Sequence, residues 1–245
     1  MFGDEIAVAK PIPVAINHPC MTFGDLFERA TPYDVDEDAV RAALDDRRSS
    51  TASATSDGET ADGEDGDASG GKSLSSPDCD PSPARVVADA DVLAADLLVG
   101  GPSREALDAL RSHAWTTLVA SDPLLDDAEA VIATLSDATL AGDWRETVEM
   151  WRAPVTHPAG DHPALGSAYR GAAMQVVSLD PTLTGPRAAA GLRDRLPVSI
   201  REPRAFATVF SPENLYPEAV GGVYPGPDRD PRSMRPLGGG RDQHR

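Results

Sequence analysis

Short apolar runs alternate, from residue 85 onward, with longer stretches in which apolar residues recur every three or four positions. The short runs predict buried strands and the longer stretches predict amphipathic helices. The predicted strands, in chain order, cover 85–90, 115–120, a brief segment at 155, 175–179 and 197–200. Because strands that alternate with helices form parallel sheets covered on both faces, we expect a three-layer α/β/α sandwich with a parallel sheet of four to five strands.

Several predicted helices combine an apolar stripe with a residue suited to begin them. Ser103 and Ser121 precede two such stripes as N-caps, and Pro163 opens a helix over 163–171. A short helix around Phe206 closes the domain. One further helix has apolar residues spaced by four, four and three positions, at Leu140, Trp144, Val148 and Trp151. Residues of this size at this spacing indicate core packing.

Composition divides the chain into four segments. Residues 1–48 form a small N-terminal element with one helical pattern, too short for a core of its own, and we expect it to dock on the main domain or on a partner. Residues 49–84 are rich in Ser, Thr, Gly and acidic residues and are predicted to be a disordered linker. Residues 85–215 form the α/β domain, and the Gly-, Pro- and Arg-rich residues 216–245 are predicted to be a disordered tail.

The chain is strongly acidic. Its 245 residues include 40 acidic and 22 basic side chains, a net charge of −18, and its only lysines are Lys10 and Lys72. An acid excess with so little lysine resembles the cytosolic proteins of halophilic archaea, in which dense carboxylates maintain hydration at high salt. The acidity therefore indicates an adaptation to solvent and is poor evidence about partners.

The sequence predicts a cytoplasmic protein without a membrane segment. No apolar run approaches the roughly 18 residues of a membrane span, and the N-terminus lacks the basic start of a signal peptide. Cys20 and Cys79 are the only cysteines, too few for a disulfide framework or a four-thiolate zinc site.

Four aspartates fall where predicted elements begin or end at the edge formed by the carboxyl ends of the strands. Ligands of open parallel sheets bind beyond this edge. Four carboxylates held close together repel one another, and a bound Mg²⁺ or Mn²⁺ removes that repulsion because these cations prefer oxygen ligands. Taken singly, Asp127, Asp161 and Asp180 are more readily explained by a solvated helix surface, a helix cap and a turn respectively, and Asp89 is explained equally well by a turn. The four residues, whose joint arrangement predicts a metal site, are Asp89, Asp127, Asp161 and Asp180.

Five segments resemble, in order and spacing, the motifs of PIN domains. The first two are residues 86–93 (VVADADVL) and 118–127 (LVASDPLLDD). The third, residues 161–165 (DHPAL), has an aspartate that opens a helix, and the fourth, residues 176–183 (VVSLDPTL), is similar to the family's Thr-x-Asp motif. Residues 198–206 (VSIREPRAF) resemble its closing strand and proline–helix step. The resemblance covers about residues 85–212.

The resemblance implies a metal-dependent nuclease that hydrolyses single-stranded RNA by activating water on Mg²⁺ or Mn²⁺. Its implied metal ligands and catalytic residues are the same four aspartates, Asp89, Asp127, Asp161 and Asp180.

The chain departs from the family's pattern at the first two motifs. Asp91 takes the place of a usual asparagine, and Asp127 that of an acid which is most often glutamate, one methylene longer. Asp126 and Glu129 are therefore rival candidates for the role of Asp127. Ser178, which stands where the Thr-x-Asp motif has threonine, is a further secondary candidate.

Two functions of different classes stay open. The first is an endoribonuclease, either of the toxin type with an antitoxin partner or in RNA processing. The second is a catalytically inactive PIN-like module that binds RNA or a protein partner; a homodimer is compatible with both. Asp89 and Asp91 after a strand also resemble the opening motif of dehalogenase-type phosphatases and receiver domains. Those families use a late lysine, which residues 85–245 lack.

Basic residues near the connecting loops are the remaining candidates for contacts with RNA. Arg104, Arg170 and Arg187 lie beside loops expected at the same edge of the sheet, with solvated helix surfaces as the alternative. His162, next to Asp161, is interpreted as a surface or cap-adjacent residue, with a contact to a substrate phosphate as the alternative.

Overall fold

A five-stranded parallel sheet forms the centre of the molecule. The computed structural model describes residues 21–56, 80–185 and 198–234 of the chain. The strands are β1 (Ser82–Ala88), β2 (Thr117–Ser121), β3 (Ala153–Val155), β4 (Ala173–Val177) and β5 (Ser199–Arg201). Their order in the sheet is β3-β2-β1-β4-β5, and every neighbouring pair is parallel. The predicted three-layer α/β/α sandwich is confirmed.

Ten helices in the described residues surround the sheet and connect its strands. In chain order they are α1 (Phe23–Ala30), α2 (Glu37–Ser56), α3 (Ala90–Leu98), α4 (Gly101–Arg111), α5 (Asp122–Leu135), α6 (Ala138–Glu149), α7 (Pro163–Arg170), α8 (Pro181–Thr184), α9 (Pro203–Val209) and α10 (Pro212–Ala219). In this part of the chain, none of them is both long and apolar enough to cross a membrane.

The central strands are covered on both faces, which explains why they lack an alternating pattern. Val86, Val87 and Ala88 of β1 are buried, and Val86 is aligned with Leu118 of β2. The edge strands β3 and β5 are only partly buried. Each predicted strand is present with its bounds shifted by at most three residues, and β1 ends at Ala88 because Asp89 already caps the next helix.

Helix α3, which follows β1 directly, was not predicted from the sequence. All nine of its residues are buried, including Asp91 and Asp96. A helix that is covered on every side has no polar face, so its apolar residues show no helical period. The next helix consequently begins at Gly101, with Gly100 as its N-cap, and not at the predicted cap Ser103.

The N-terminal element packs on the main domain, which is the first of the two alternatives that the sequence left open. Leu26 of α1 and Val40 and Leu44 of α2 are buried in the same core as Val86. The predicted boundary after residue 48 is wrong, because α2 continues to Ser56. The predicted start of the domain at 85 is also late, since β1 begins at Ser82.

A buried ion pair fixes α3 to α4. Arg111 Nη1 and Nη2 donate to the two carboxylate oxygens of Asp96 at 2.7 and 2.8 Å, and the Arg111 guanidinium lies 4.5 Å from the ring centre of Phe23 in α1. Arg104 donates to the carbonyl oxygens of Asp96 and Leu97. Arg104 is thus engaged at the α3–α4 junction, which argues against its predicted role in contacting RNA.

Part of the predicted disordered tail is packed against the domain. Tyr216 and Tyr224 pack against Trp115 and His113 respectively, and the backbone N–H of Asp228 donates to Ser112 O at 3.1 Å. Aromatic side chains supply this segment with the apolar contacts that its Gly and Pro content does not indicate. The predictions for the rest of the linker (57–79) and for the end of the tail (235–245), together with Cys20, Cys79 and Arg187, lie outside the described residues.

Candidate functional site

Asp89 is held at the carboxyl end of β1, between the sheet and α3. Its backbone N–H donates to Val177 O of β4 at 2.8 Å, and its Oδ1 accepts the N-cap hydrogen bond of α3 from Ala90 N at 2.8 Å. The residue is completely buried. The direction of this carboxylate is therefore fixed by the end of β1, by β4 and by the start of α3.

Asp91 and Ser178 lie behind Asp89. Ser178 Oγ lies 3.1 Å from Asp89 Oδ2 and 3.3 Å from Asp91 Oδ2, and Leu179 N donates to Asp91 Oδ2 at 3.0 Å. Burial, and after it the charge of Asp89, raises the pKa of Asp91 well above its usual range. A protonated Asp91 can share its proton with Ser178, which relieves repulsion between the two buried carboxyl groups.

Arg48 of α2 reaches into this site and joins two aspartates. Its Nη2 donates to Asp89 Oδ1 at 2.8 Å, and its Nε donates to Asp127 Oδ2 at 3.2 Å. Burial lowers the pKa of Arg48, but the charges and hydrogen bonds of Asp89 and Asp127 outweigh burial and leave that pKa raised. One guanidinium cation thus lies between the first two aspartates of the predicted metal site.

Asp127 occupies the side of α5 that faces α2. Its side chain is 14% exposed, and Arg47 Nε lies 3.6 Å from its Oδ1. The rival candidates Asp126 and Glu129 face another helix, since Arg145 Nη1 of α6 lies 2.7 Å from Asp126 Oδ1 and 3.7 Å from Glu129 Oε2. The structure therefore brings Asp127 to Asp89 and leaves both rivals paired with Arg145.

The other two predicted ligands lie at the margin of the site. Asp180 is the N-cap of α8, where its Oδ1 accepts from Thr182 N at 2.6 Å. Asp161 is exposed and does not cap α7; that cap is His162, whose Nδ1 accepts from Ala164 N. Both aspartates therefore have a place near the site, but neither carboxylate contacts Arg48.

His162 lies among the charges of the site. Its Nε2 is 3.4 Å from Arg48 Nη1. Burial lowers its pKa, while the negative charges of Asp89, Asp180 and Asp127 act in the opposite direction. Three of the four predicted aspartates are consequently close enough to His162 to influence its titration, and the fourth is its neighbour in the sequence.

A groove opens beside these residues. Its volume is about 610 Å³, and its lining includes Arg48, Pro123, Asp127, Asp161 and His162. Within the part of the chain that the structure describes, no three His, Cys, Asp or Glu side chains are arranged as a ready metal-binding group. The arrangement is two aspartates joined by an arginine, with two further aspartates at the margin.

A family model described as a family of unknown function (DUF7384) matches residues 80–232. The chain belongs to the DUF7384 family. No curated protein and no solved structure matches it. The DUF7384 match contains all four predicted aspartates, whereas α1 and α2 precede it. Arg48 therefore reaches the site from outside the matched region.

Arg48 is the residue at this site that sequence reasoning missed. Arg48 is the last residue of the predicted N-terminal element, next to the predicted linker and 41 positions before Asp89. The signal in the sequence is slight: positions 47 and 48 are the one place where two arginines are adjacent. Their contact with Asp89 and Asp127 depends on how α2 packs against the DUF7384 region.

Proposed function

We propose that this protein is a divalent-metal-dependent endoribonuclease that hydrolyses phosphodiester bonds of single-stranded RNA in the cytoplasm. One observation carries the proposal. Asp89 and Asp127, which belong to different elements, both contact the guanidinium of Arg48 at the carboxyl edge of a parallel sheet. Paired carboxylates at this edge, next to a groove, are suited to phosphoryl chemistry.

The residues fit a divalent cation by the chemistry of their donor atoms and by the presence of a stand-in. Asp89 and Asp127 offer hard carboxylate oxygens, the ligands that Mg²⁺ and Mn²⁺ prefer. The Arg48 guanidinium contacts both carboxylates and stands in for such an ion. Asp161 and Asp180, whose side chains are exposed or partly exposed at the margin of the site, would be the remaining ligands.

The bound ion would supply activation of water and neutralisation of charge at the phosphodiester. The chain's own residues would hold the site in shape. Ser178 and the α3 backbone fix Asp89 through hydrogen bonds, and the buried Asp91 in turn contacts the hydroxyl of Ser178. His162, whose pKa is lowered first of all by burial, offers a largely neutral imidazole at the groove.

The groove supports a single-stranded substrate. Pro123, Pro158 and Pro163 contribute apolar surface to its lining, and unpaired bases can lie on such surface whereas the bases of a duplex are stacked inside it. The net charge of −18 does not oppose this substrate at high salt, because the Debye length falls to about 3 Å at 1 M.

A catalytically inactive module that binds RNA or a protein is the second candidate. The observation that favours it is Arg48, which already neutralises part of the charge of Asp89 and Asp127. In this candidate, the arginine is a permanent structural replacement for a metal ion.

RNA cleavage tests the proposal directly. The full-length protein and an Arg48→Ala variant, in which the two carboxylates lose their stand-in cation, are incubated with a fluorogenic single-stranded RNA and Mn²⁺ in concentrated KCl. We expect cleavage that EDTA abolishes and that Asp89→Asn removes from both proteins. If neither protein cleaves RNA above the level of its Asp89→Asn counterpart, the endoribonuclease proposal is wrong and the inactive module is favoured.

A further inference from the structure

We infer that the C-terminal part of α2 is a built-in inhibitor of the site: Arg48 competes with the divalent cation for Asp89 and Asp127, and metal binding requires release of this arginine. The inference rests on the proposed function, because it concerns the same carboxylates. It adds a regulatory role for a helix that lies outside the matched family region.

The contacts of Arg48 conflict with those of a metal ion. Its Nη2 contacts Asp89 Oδ1 at 2.8 Å and its Nε contacts Asp127 Oδ2 at 3.2 Å. Arg47 lies 3.6 Å from the other oxygen of Asp127. These are the oxygens that would bind the ion, so a guanidinium and a divalent cation cannot occupy the space between the two residues together.

Charge favours exchange of the arginine for the ion. Asp89 and Asp127 carry two negative charges, and the single charge of Arg48 leaves one of them uncompensated. Arg47, whose side chain is 45% exposed and more distant, compensates weakly. A divalent cation neutralises both carboxylates at once, which matters most for Asp89 because its side chain is completely buried.

The two halves of α2 are attached to the domain differently. The first half is anchored by Val40 and Leu44, which are buried in the core. After Arg48 the helix continues with six Ser and Thr residues, which are weak helix formers, and two Ala, and the described side chains among residues 49–53 are exposed. The hydroxyls of Ser50, Thr51 and Ser53 donate to carbonyls four residues earlier, a pattern that slightly weakens helices.

This asymmetry identifies the part that moves. Beyond Leu44, no described side chain of α2 belongs to the core, so unwinding the helix from about Arg47 onward removes no core residue of α2 and breaks the contacts of Arg47 and Arg48 with the aspartates. Segments with few buried contacts open at low free energy, and switching elements are drawn from them. The anchored half of α2 keeps the released arginine close to the site, so inhibition is reversible.

Metal binding to the full-length protein tests the inference. The Kd for Mn²⁺ is measured by isothermal titration calorimetry for wild type, Arg48→Ala, Arg48→Gln and Arg41→Ala. Arg41 lies on the same helix but pairs with Asp38, so Arg41→Ala is the matched control. Arg48→Gln keeps an amide that can donate to Asp89, which protects the fold if Arg48→Ala is unstable. We expect either Arg48 variant to bind Mn²⁺ at least tenfold more tightly than wild type, and Arg41→Ala to match wild type.

The outcomes separate the inference from the function it rests on. Equal Mn²⁺ affinity in wild type and both Arg48 variants overturns the inhibitory role and leaves the metal-dependent function standing. Absence of Mn²⁺ binding in every variant overturns the metal-dependent function, and the inhibitory role fails with it. Hydrogen–deuterium exchange of wild type gives a second readout: saturating Mn²⁺ should accelerate exchange in residues 47–56 but not in α1, and unchanged exchange there contradicts release of Arg48.

Discussion

Asp126 and Asp127 are adjacent in the sequence but pair with arginines of different helices. Asp126 Oδ1 lies 2.7 Å from Arg145 Nη1 of α6, whereas Asp127 Oδ2 lies 3.2 Å from Arg48 Nε of α2. Successive residues of a helix point about 100° apart, so only one of the two can face Asp89. The packing of α5 between α2 and α6 therefore selects Asp127 for the candidate site.

This selection predicts a difference between two otherwise identical substitutions. In protein that carries Arg48→Ala, we expect Asp127→Asn to weaken Mn²⁺ binding at least tenfold, because it removes one charged oxygen ligand. Asp126→Asn should change the Kd by less than twofold, since its carboxylate faces Arg145. Calorimetric titration measures both, and a larger effect of Asp126→Asn would reverse the assignment.

The raised pKa of Asp91 predicts a dependence of stability on pH. Burial raises this pKa, so the folded protein keeps a proton that the unfolded chain releases near its ordinary pKa of 3.8. The unfolded state therefore binds fewer protons, and stability falls as pH rises from about 4 through the folded pKa. The slope from this one group is at most about 1.4 kcal/mol per pH unit.

An Asp91→Asn variant isolates this contribution because asparagine does not titrate. Its free energy of unfolding, measured by urea denaturation at fixed salt, should increase relative to wild type as pH rises through that window. Below about pH 4 the difference should be constant, and it reports only the exchange of hydrogen-bonding groups next to Leu179 and Val92. If the free energies of unfolding of wild type and Asp91→Asn change equally with pH over the whole range, Asp91 ionises in the folded protein as it does in the unfolded chain.

The packing of α1 predicts that the N-terminal element unfolds together with the main domain. Leu26→Ala should reduce the free energy of unfolding by about 2–5 kcal/mol, because Leu26 is completely buried in the common core. Glu28→Ala, at an exposed position of the same helix, should change it by less than about 0.5 kcal/mol. Urea denaturation followed by circular dichroism distinguishes these results, and a separate early transition for Leu26→Ala would indicate an independent unit.

Alanine substitutions at two glycines should change the stability of the fold in opposite directions. A Cβ at Gly171 would lie 2.2 Å from Cγ1 of the buried Val119, so Gly171→Ala should destabilise the fold by about 1–3 kcal/mol through overpacking of α7 on β2. A Cβ at Gly142, within α6, meets nothing within 4 Å. Gly142→Ala should therefore stabilise the fold by about 0.5–1 kcal/mol. Thermal denaturation measures both, and two shifts of the same sign would contradict this packing.

Much of the fold could be predicted from local pattern. The strands around Val86, Leu118 and Val176 are short apolar runs between turn-forming residues, and Ser121 caps α5 as expected. Helix α3 could not be found in this way because burial on all sides leaves no polar face. The packed part of the tail was missed for a different reason: its Tyr216 and Tyr224 contacts are remote in sequence.

The sequence by itself determined the alternation of strands and helices and the positions of the aspartates along the chain, because both follow from short-range periodicity and turn chemistry. It could not determine which of these carboxylates meet, since that depends on how α2, α5 and the sheet pack across long separations. Tertiary structure selected Asp127 over Asp126, moved Asp161 and Asp180 to the margin, and inserted Arg48 from another segment. The physical reason is that a buried Asp89 requires a compensating charge, and only packing decides which residue supplies it.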